Sequence, residues 1–598
     1  MLNQIARRGT ALAMVFAFAS SLSPAAEARN SRPPQGDLRD LIARYTSDRD
    51  SLFRTYDVAI SPIREARFKQ FYRDSLDTLR KVDFAGLNED GKIDYLLLQN
   101  HLTHALRHLA LRQTQIEEMS PLIPFSKTIL DLDDSRRRVE LPKPQQAAEA
   151  LTKMVKEISN TREAEEAGLA TDTKPGASKT LEIHPLRAEK NVARRTAAAI
   201  TQLRETLKTW FTYYNGYDPQ FTWWVAQPYK EANKALDEYG KFLTEKLVGI
   251  MPADKTTIIG DPVGREALMV ELSDALIPYT PEELIALAKN EMAWCTKEMI
   301  RASREMGYGD DWHKALEHVK DMHVEPGQQP ELIRQLAVEA IEFVEKNDLV
   351  TVPPLAKETW RMEMMTPERQ LINPFFTGGE VISVSFPTDT MTYEQRMMSM
   401  KGNNRPFARA TVFHELIPGH HLQGFMSERY RSYRQIFDTP FWSEGNAFYW
   451  EMLLWDMGFP KTPEERVGML FWRMHRCARI IFSMSFHLGL MTAQECVDFL
   501  VKNVGHEVDN AAAEVRRSFE ASDNPLYQSA YMLGALQFRA LHKDLVESGK
   551  MTNRAFHDAI LEGNSMPVEM VRSRLIGQAL TPDFKSSWKF CGAIPKSP

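Results

Sequence analysis

Four residues in one short stretch could carry the chemistry of this chain. They are His414, Glu415, His420 and His421, in Thr411-Val-Phe-His-Glu-Leu-Ile-Pro-Gly-His-His-Leu-Gln423. Neutral imidazoles hold a divalent cation, and a carboxylate beside them takes a proton from water on that cation. The usual helical form, H-E-x-x-H, puts two histidines four residues apart on one face, but here that position is Pro418. In a regular helix His420 would point about 120° away from His414. His421 would return to the same face about 10 Å further along the axis. Pro418 cannot donate to the carbonyl of His414, and Gly419 tolerates unusual backbone angles. A bulge or kink at Pro-Gly then absorbs the two extra residues. This reading predicts His420 as the second ligand after His414, with His421 as the alternative.

The third ligand falls to Glu444, in Ser443-Glu-Gly-Asn-Ala-Phe-Tyr-Trp-Glu451. Ser443 is expected to cap a helix whose first turn carries Glu444. Glu451 is placed to support a ligand, and Glu415 to act as general base. The plainer alternative is a kinked structural helix with a surface His-Glu pair. Three histidines and a glutamate within eight residues, followed by a glutamate opening an apolar helix, argue for metal.

These motifs resemble the bacterial family labelled domain of unknown function 885, whose signature is H-E-x-x-P-G-H-H-x-Q and then E-G-W-A. The resemblance continues through Arg476-Cys-Ala-Arg479, Glu514-Val-Arg-Arg517, Tyr527-Gln-Ser-Ala-Tyr-Met-Leu-Gly534 and Phe556-His-Asp-Ala-Ile-Leu-Glu-Gly563. The family is similar to the gluzincin metallopeptidases, whose ligands are two histidines and a glutamate. The resemblance implies a zinc peptidase: one Zn2+ on His414, His420 and Glu444, acting on a peptide substrate. Asn446 stands where the family has Trp, a departure expected to touch the pocket wall more than the ligands.

The elements that must position these groups are mostly helices. Apolar residues recur at three- and four-residue spacing from Asp37 to Tyr45, Arg67 to Arg80, Ile93 to Arg112 and Ala188 to Phe211. Thr280, Pro281 and Glu283 form a capping-box start, and a further helix fills Gln329 to Lys346. After Glu451, stripes run over Arg466 to Leu490, Thr492 to Val504, Asn510 to Phe519 and Leu526 to Leu545. Two β-rich segments, 361–365 and 379–386, precede the metal helix. In the gluzincins a strand there pairs with the peptide, so 379–386 is expected either to offer a free edge or to be an ordinary sheet strand. An oxyanion needs a donor; Tyr531 and Arg517 rank ahead of Tyr527 and His487, and Arg517 could also clamp a carboxylate. The expected fold is mainly α, a large multi-helix zincin-like architecture. It has a small β-sheet beside the metal helix and a deep cleft walled by N-terminal helices.

Residues 1–28 read as a signal peptide, with Arg7 and Arg8 before a short apolar stretch and Ala26-Glu27-Ala28 as cleavage signal. That implies a periplasmic or secreted protein without stable membrane insertion, and no cysteine near the cleavage point suggests a lipid anchor. A helical region is expected over 29–165, a linker or exposed loop over 166–188, and the catalytic region over 189–598. A formal charge of −6 gives no sign of nucleic-acid binding. Cys295, Cys477, Cys496 and Cys591 form no C-x-x-C pair; Cys477 and Cys496 either bridge helices or stay buried thiols. His101, His104 and His108 fit one face of a core helix rather than a metal cluster. Phe221-Thr-Trp-Trp-Val225 fits packing better than a substrate cleft. Two other functions use the same residues: a metal-dependent amidase on a non-peptide or cell-wall substrate, and a non-enzymatic envelope binding protein with a vestigial site.

Overall fold

A computed structural model describes residues 36–592 apart from 174–183, 253, 255–256, 371–374 and 521–523. The expected leader and the middle of the expected linker therefore lie outside the described residues. The architecture is mainly α, with one two-stranded sheet among the described residues.

Apolar stripes sort the helices into a main core and a smaller one. The smaller core gathers Ile129, Leu151, Ile158, Leu203, Trp210 and Leu236. They come from helices Ser126–Arg137, Pro144–Thr173, Lys190–Tyr214 and Pro219–Phe242. This four-helix unit straddles 166–188, because the helices on either side bury their stripes against one another. Packing thus groups the chain differently from a division into 29–165 and 189–598. Phe221 and Val225 are buried in this core, while Trp223 and Trp224 face solvent, away from the cleft described below. His101 Nε2 meets Tyr45 Oη at 3.1 Å, and His104 Nε2 meets Glu271 Oε1 at 2.9 Å. These histidines tie helix Glu89–Met119 to its neighbours.

The main core runs from Leu38 to Phe590 and holds the elements of the site. Helix α1 (Pro281–Glu305) starts at the expected capping box, with Glu283 N–H donating to Thr280 Oγ1 and Thr280 N–H to Glu283 Oε2. Helix α2 (Pro354–Thr359) leads into β1 (Arg361–Met364), which pairs in parallel with β2 (Val381–Val384). There follow α3 (Arg405–Glu415), α4 (His420–Ser427), α5 (Pro440–Asp456), α6 (Pro463–His487), α7 (Val508–Glu520) and α8 (Tyr527–His542). Every residue of α6 from Val467 to His487 is buried, and α1, α3 and α8 surround it. Ile382 and Val384 of β2 pack with Val412 and Leu416, so the sheet lies against the end of α3 that carries His414. The outer edge of β2 is not wholly free: Ser383 exchanges two backbone hydrogen bonds with Thr377.

Two helix crossings depend on glycine. A Cβ on Gly468 would fall 2.4 Å from the Pro406 carbonyl oxygen, which sets α6 directly on α3. A Cβ on Gly445 would lie 2.6 Å from Gly534 Cα, and one on Gly534 would lie 2.1 Å from the Phe441 carbonyl oxygen. Helices α5 and α8 therefore touch backbone to backbone, which puts Glu444 against the first turns of α8.

The N-terminal helices brace this assembly from behind. Arg434 Nε donates to Asp94 Oδ1 at 2.7 Å, and both side chains are fully buried. Tyr433 Oη donates to the other Asp94 oxygen at 2.8 Å. Removing one member of such a pair leaves an uncompensated buried charge, a cost of about 3–5 kcal/mol. The four cysteines are free thiols. Cys477 neighbours Cys295 rather than Cys496, whose thiol instead donates to the Phe482 carbonyl at 3.7 Å. No described helix is long and apolar enough to cross a membrane.

Candidate metal centre

The break in the motif is complete rather than a bulge within one helix. Helix α3 ends at Glu415, Leu416 leaves helical geometry, the Ile417–Pro418 peptide is cis, and α4 opens at His420. Gly419 is fixed by space, since a Cβ there would sit 1.8 Å from the His414 carbonyl oxygen. The result brings the His414 and His420 ring centroids to 4.9 Å at an interplanar angle of 86°. His421 turns the other way, its Nε2 2.9 Å from the Ala356 carbonyl oxygen on α2. This decides between the two candidate second ligands in favour of His420. His421 holds α4 to α2 instead.

Helix α5 starts earlier than expected. Thr439, not Ser443, caps it by accepting from Phe441 N–H, and Pro440 occupies the first turn. Glu444 therefore lies in the second turn. Its Oε2 is 3.1 Å from His420 Nε2 and 3.5 Å from His414 Nε2. Three ligands tetrahedrally placed about 2.0–2.1 Å from zinc would stand roughly 3.3 Å apart. Ligand atoms of His414, His420 and Glu444 all lie within 4.8 Å of one another, the one such cluster among the described residues.

The second nitrogen of each imidazole settles whether the set suits a cation. His414 Nδ1 is 2.8 Å from Glu451 Oε1, an acceptor only, so Nδ1 carries the proton. His420 Nδ1 is 3.1 Å from Gln423 Oε1. That amide is oriented by its other end, where Gln423 Nε2 donates to the Ser443 carbonyl at 3.0 Å and to Asn446 Oδ1 at 3.1 Å. Both Nε2 atoms thus face Glu444, the arrangement in which supporting acceptors on Nδ1 leave Nε2 for a metal ion. The residues fit a divalent ion. Asn446 belongs to this scaffold, two hydrogen bonds from His420 by way of Gln423, which corrects its expected place on the pocket wall. Gln423→Ala, which removes the acceptor on His420 Nδ1, is expected to weaken cation binding about 10- to 100-fold, the usual cost of losing such support, in a competitive chelator titration.

Glu415 follows His414 and is half-buried. Burial pushes its carboxyl up, against the pull of His414 and His420. Gly378 makes room for it, because a Cβ there would come 2.4 Å from Glu415 Oε2, and Gly379 N–H reaches the Glu415 carbonyl at 3.4 Å. Burial opposes a charged His420, but Glu444 raises it to about 9. Burial also opposes ionised Glu444, and the two imidazoles more than offset this, holding it well below the ordinary range. The centre is therefore built for positive charge.

Helices α7 and α8 complete the surroundings. Tyr527 Oη donates to Glu444 Oε1 at 2.7 Å, so this lower-ranked candidate oxyanion donor instead holds the carboxylate of the candidate centre. The Tyr531 ring lies 6.1 Å from His414 at 13°, with the Arg476 and Arg479 guanidiniums 4.7 and 4.6 Å from its centre. Burial raises Tyr531, and Tyr531 together with burial raises Tyr527, so both stay protonated donors at neutral pH. Arg517 is within electrostatic reach of both tyrosines and of Glu444. His487 is not part of the site. It lies eleven residues beyond Arg476, roughly 16 Å along α6, where Val263 N–H donates to its Nδ1.

A cleft of about 520 Å³ opens beside the centre, between Gly378–Gly379, His420, Trp442, Glu444 and Asn564. Its lining comes from residues between Gly378 and Ser565; the N-terminal helices, spent on bracing, contribute none of it. Sequence reasoning missed Gln423 as the keeper of His420 and the Gly378–Gly379 cradle. The three-residue step from His420 to Gln423, which are neighbours on one helix face, was the available signal.

Fold and site together define a mainly helical protein with a candidate His–His–Glu metal centre. The family model described as "Bacterial protein of unknown function (DUF885)" matches residues 54–575, and the chain belongs to that family. Two solved structures share the fold. One is described as a "putative lipoprotein of unknown function" from Shewanella oneidensis (TM-score 0.65, 16% identity, 90% of this chain and 100% of that one). The other is described as a "putative lipoprotein" from Colwellia psychrerythraea (TM-score 0.55, 15% identity, 90% and 99%). No curated protein matches.

Proposed function

We propose that this protein is a zinc-dependent peptidase of the bacterial envelope, acting on short peptides. The observation that carries the reading is the pair of imidazoles whose Nδ1–H groups are spoken for, leaving the Nε2 atoms of His414 and His420 3.5 and 3.1 Å from one carboxylate oxygen. A bound zinc ion would supply a Lewis acid that acidifies water and polarises a carbonyl. His414, His420 and Glu444 would hold it. Glu415, raised by burial, takes the proton of the attacking water and returns it to the leaving amine nitrogen. Tyr527 is committed to Glu444, whereas no described residue engages the Tyr531 hydroxyl, so Tyr531 is the donor for the developing oxyanion. Arg517, within electrostatic reach of both phenols, is the cation that favours negative charge there. The Gly378–Gly379 segment leads directly into β2 and lines the cleft, where its backbone can receive an extended peptide. The envelope assignment rests on the leader-like residues 1–28, and the two structural neighbours are themselves described as "putative" lipoproteins.

The test is hydrolysis of a peptide panel before chelation, after it, and after zinc is returned. Activity is expected to vanish with the metal and to recover with stoichiometric zinc. Metal-free protein that binds peptides without cleaving them would overturn the enzymatic reading. Cleavage of cell-wall amides alone would redirect the substrate.

A further inference from the structure

The cleft beside the centre carries two polar groups that the proposed chemistry leaves idle. Asp438 lines it just ahead of α5. Its Oδ1 accepts from Ser565 Oγ at 2.6 Å, and no lysine or arginine pairs with it among the described residues. Trp442 also lines the cleft; it is only 2% exposed, yet its indole N–H has no hydrogen-bond partner. A buried donor without an acceptor is costly, and a group arriving in the cleft would satisfy it. Apart from His420, the charged residues of the lining are both acidic, Glu444 and Asp438. With Glu444 spent on the cation site, Asp438 is the carboxylate left facing the substrate space.

From these placements we infer that Asp438 and Trp442 form a substrate subsite that takes a cationic peptide, Asp438 receiving an ammonium group and Trp442 Nε1 donating to a backbone carbonyl. This rests on the peptidase reading for its chemistry, but not for binding. Asp438 stands two residues ahead of α5, whose second turn carries Glu444, and both side chains line the same cleft. The ammonium therefore belongs either to the amino terminus of a short peptide or to a lysine side chain within it. The Ser565 hydroxyl donates to one oxygen of the carboxylate only, so the second oxygen remains for the cation.

Three probes separate these sources: tetra-alanine with a free amino terminus, its N-acetyl form, and an N-acetyl form with one internal lysine. Their binding to Glu415→Gln protein is read by calorimetry, and their cleavage by the wild type is read in parallel. The expectation is that one cationic probe binds at least about tenfold tighter than the neutral one, a difference of about 1.4 kcal/mol. Asp438→Asn, which keeps an acceptor for Ser565, should erase that preference. Preference for the free amine identifies the terminus; preference for the lysine probe identifies the side chain. Trp442→Phe should weaken all three probes alike. Equal binding of charged and neutral probes, or a preference that survives Asp438→Asn, would overturn the subsite. Asp438-dependent binding without cleavage would keep the subsite and remove the peptidase. Cleavage indifferent to Asp438 would do the reverse.

Discussion

Glu415→Gln is expected to lower kcat on any peptide substrate by about 10²- to 10⁴-fold, the range that general acid–base catalysis supplies, with metal content unchanged. The substitution keeps the shape of the side chain in the narrow space under Gly378 and leaves His414, His420 and Glu444 untouched. What disappears is the capacity to accept a proton. Initial rates and elemental analysis on the same preparation make the check. An active Gln variant would take Glu415 out of the reaction, and a metal-free one would show it to be a structural support of the centre.

The second large effect distinguishes two neighbouring histidines. His420→Ala removes one of three atoms converging on the ion and should cost more than the roughly 10- to 100-fold that loss of a supporting hydrogen bond costs. His421→Ala should leave affinity near that of the wild type, because its Nε2 faces the Ala356 carbonyl on α2. Its penalty should fall on stability, through the lost anchor between α4 and α2. Chelator competition and thermal melts read the two quantities separately. The opposite ranking of affinities would reassign the ligand.

Much of the centre was legible because its chemistry is concentrated in short segments. His414, Glu415, His420 and Glu444 follow from residue type and from what Pro418 does to a helix. The choice of His420 over His421 was a preference at that stage, since the path through Leu416–Gly419 depends on backbone contacts such as that of Gly419 with the His414 carbonyl. The start of α5 was misread because Ser443 and Thr439 are both good caps, and Pro440 marks the true first turn. Glu451 was expected to serve a ligand, and it serves His414, which only the crossing of α3 and α5 could reveal. Tyr527 ranked below Tyr531 because nothing local shows which phenol reaches the carboxylate. The helical character was visible in its periodicity, and the two short strands in β-rich composition between Gly and Pro. The grouping of helices into two cores was not, because a break in pattern at 166–188 looks the same whether the flanking helices separate or pack together.

The contact between Gly445 and Gly534 has a consequence for how this centre would fail. Glu444 owes its location to a junction of two rods lying flush, with no pliable spacer between backbone and site. Whatever wedges or loosens that junction drags the carboxylate away from both rings at once. Surrender of the ion and melting of the surrounding helices would then be a single event, because the centre has no hinge of its own on which to open.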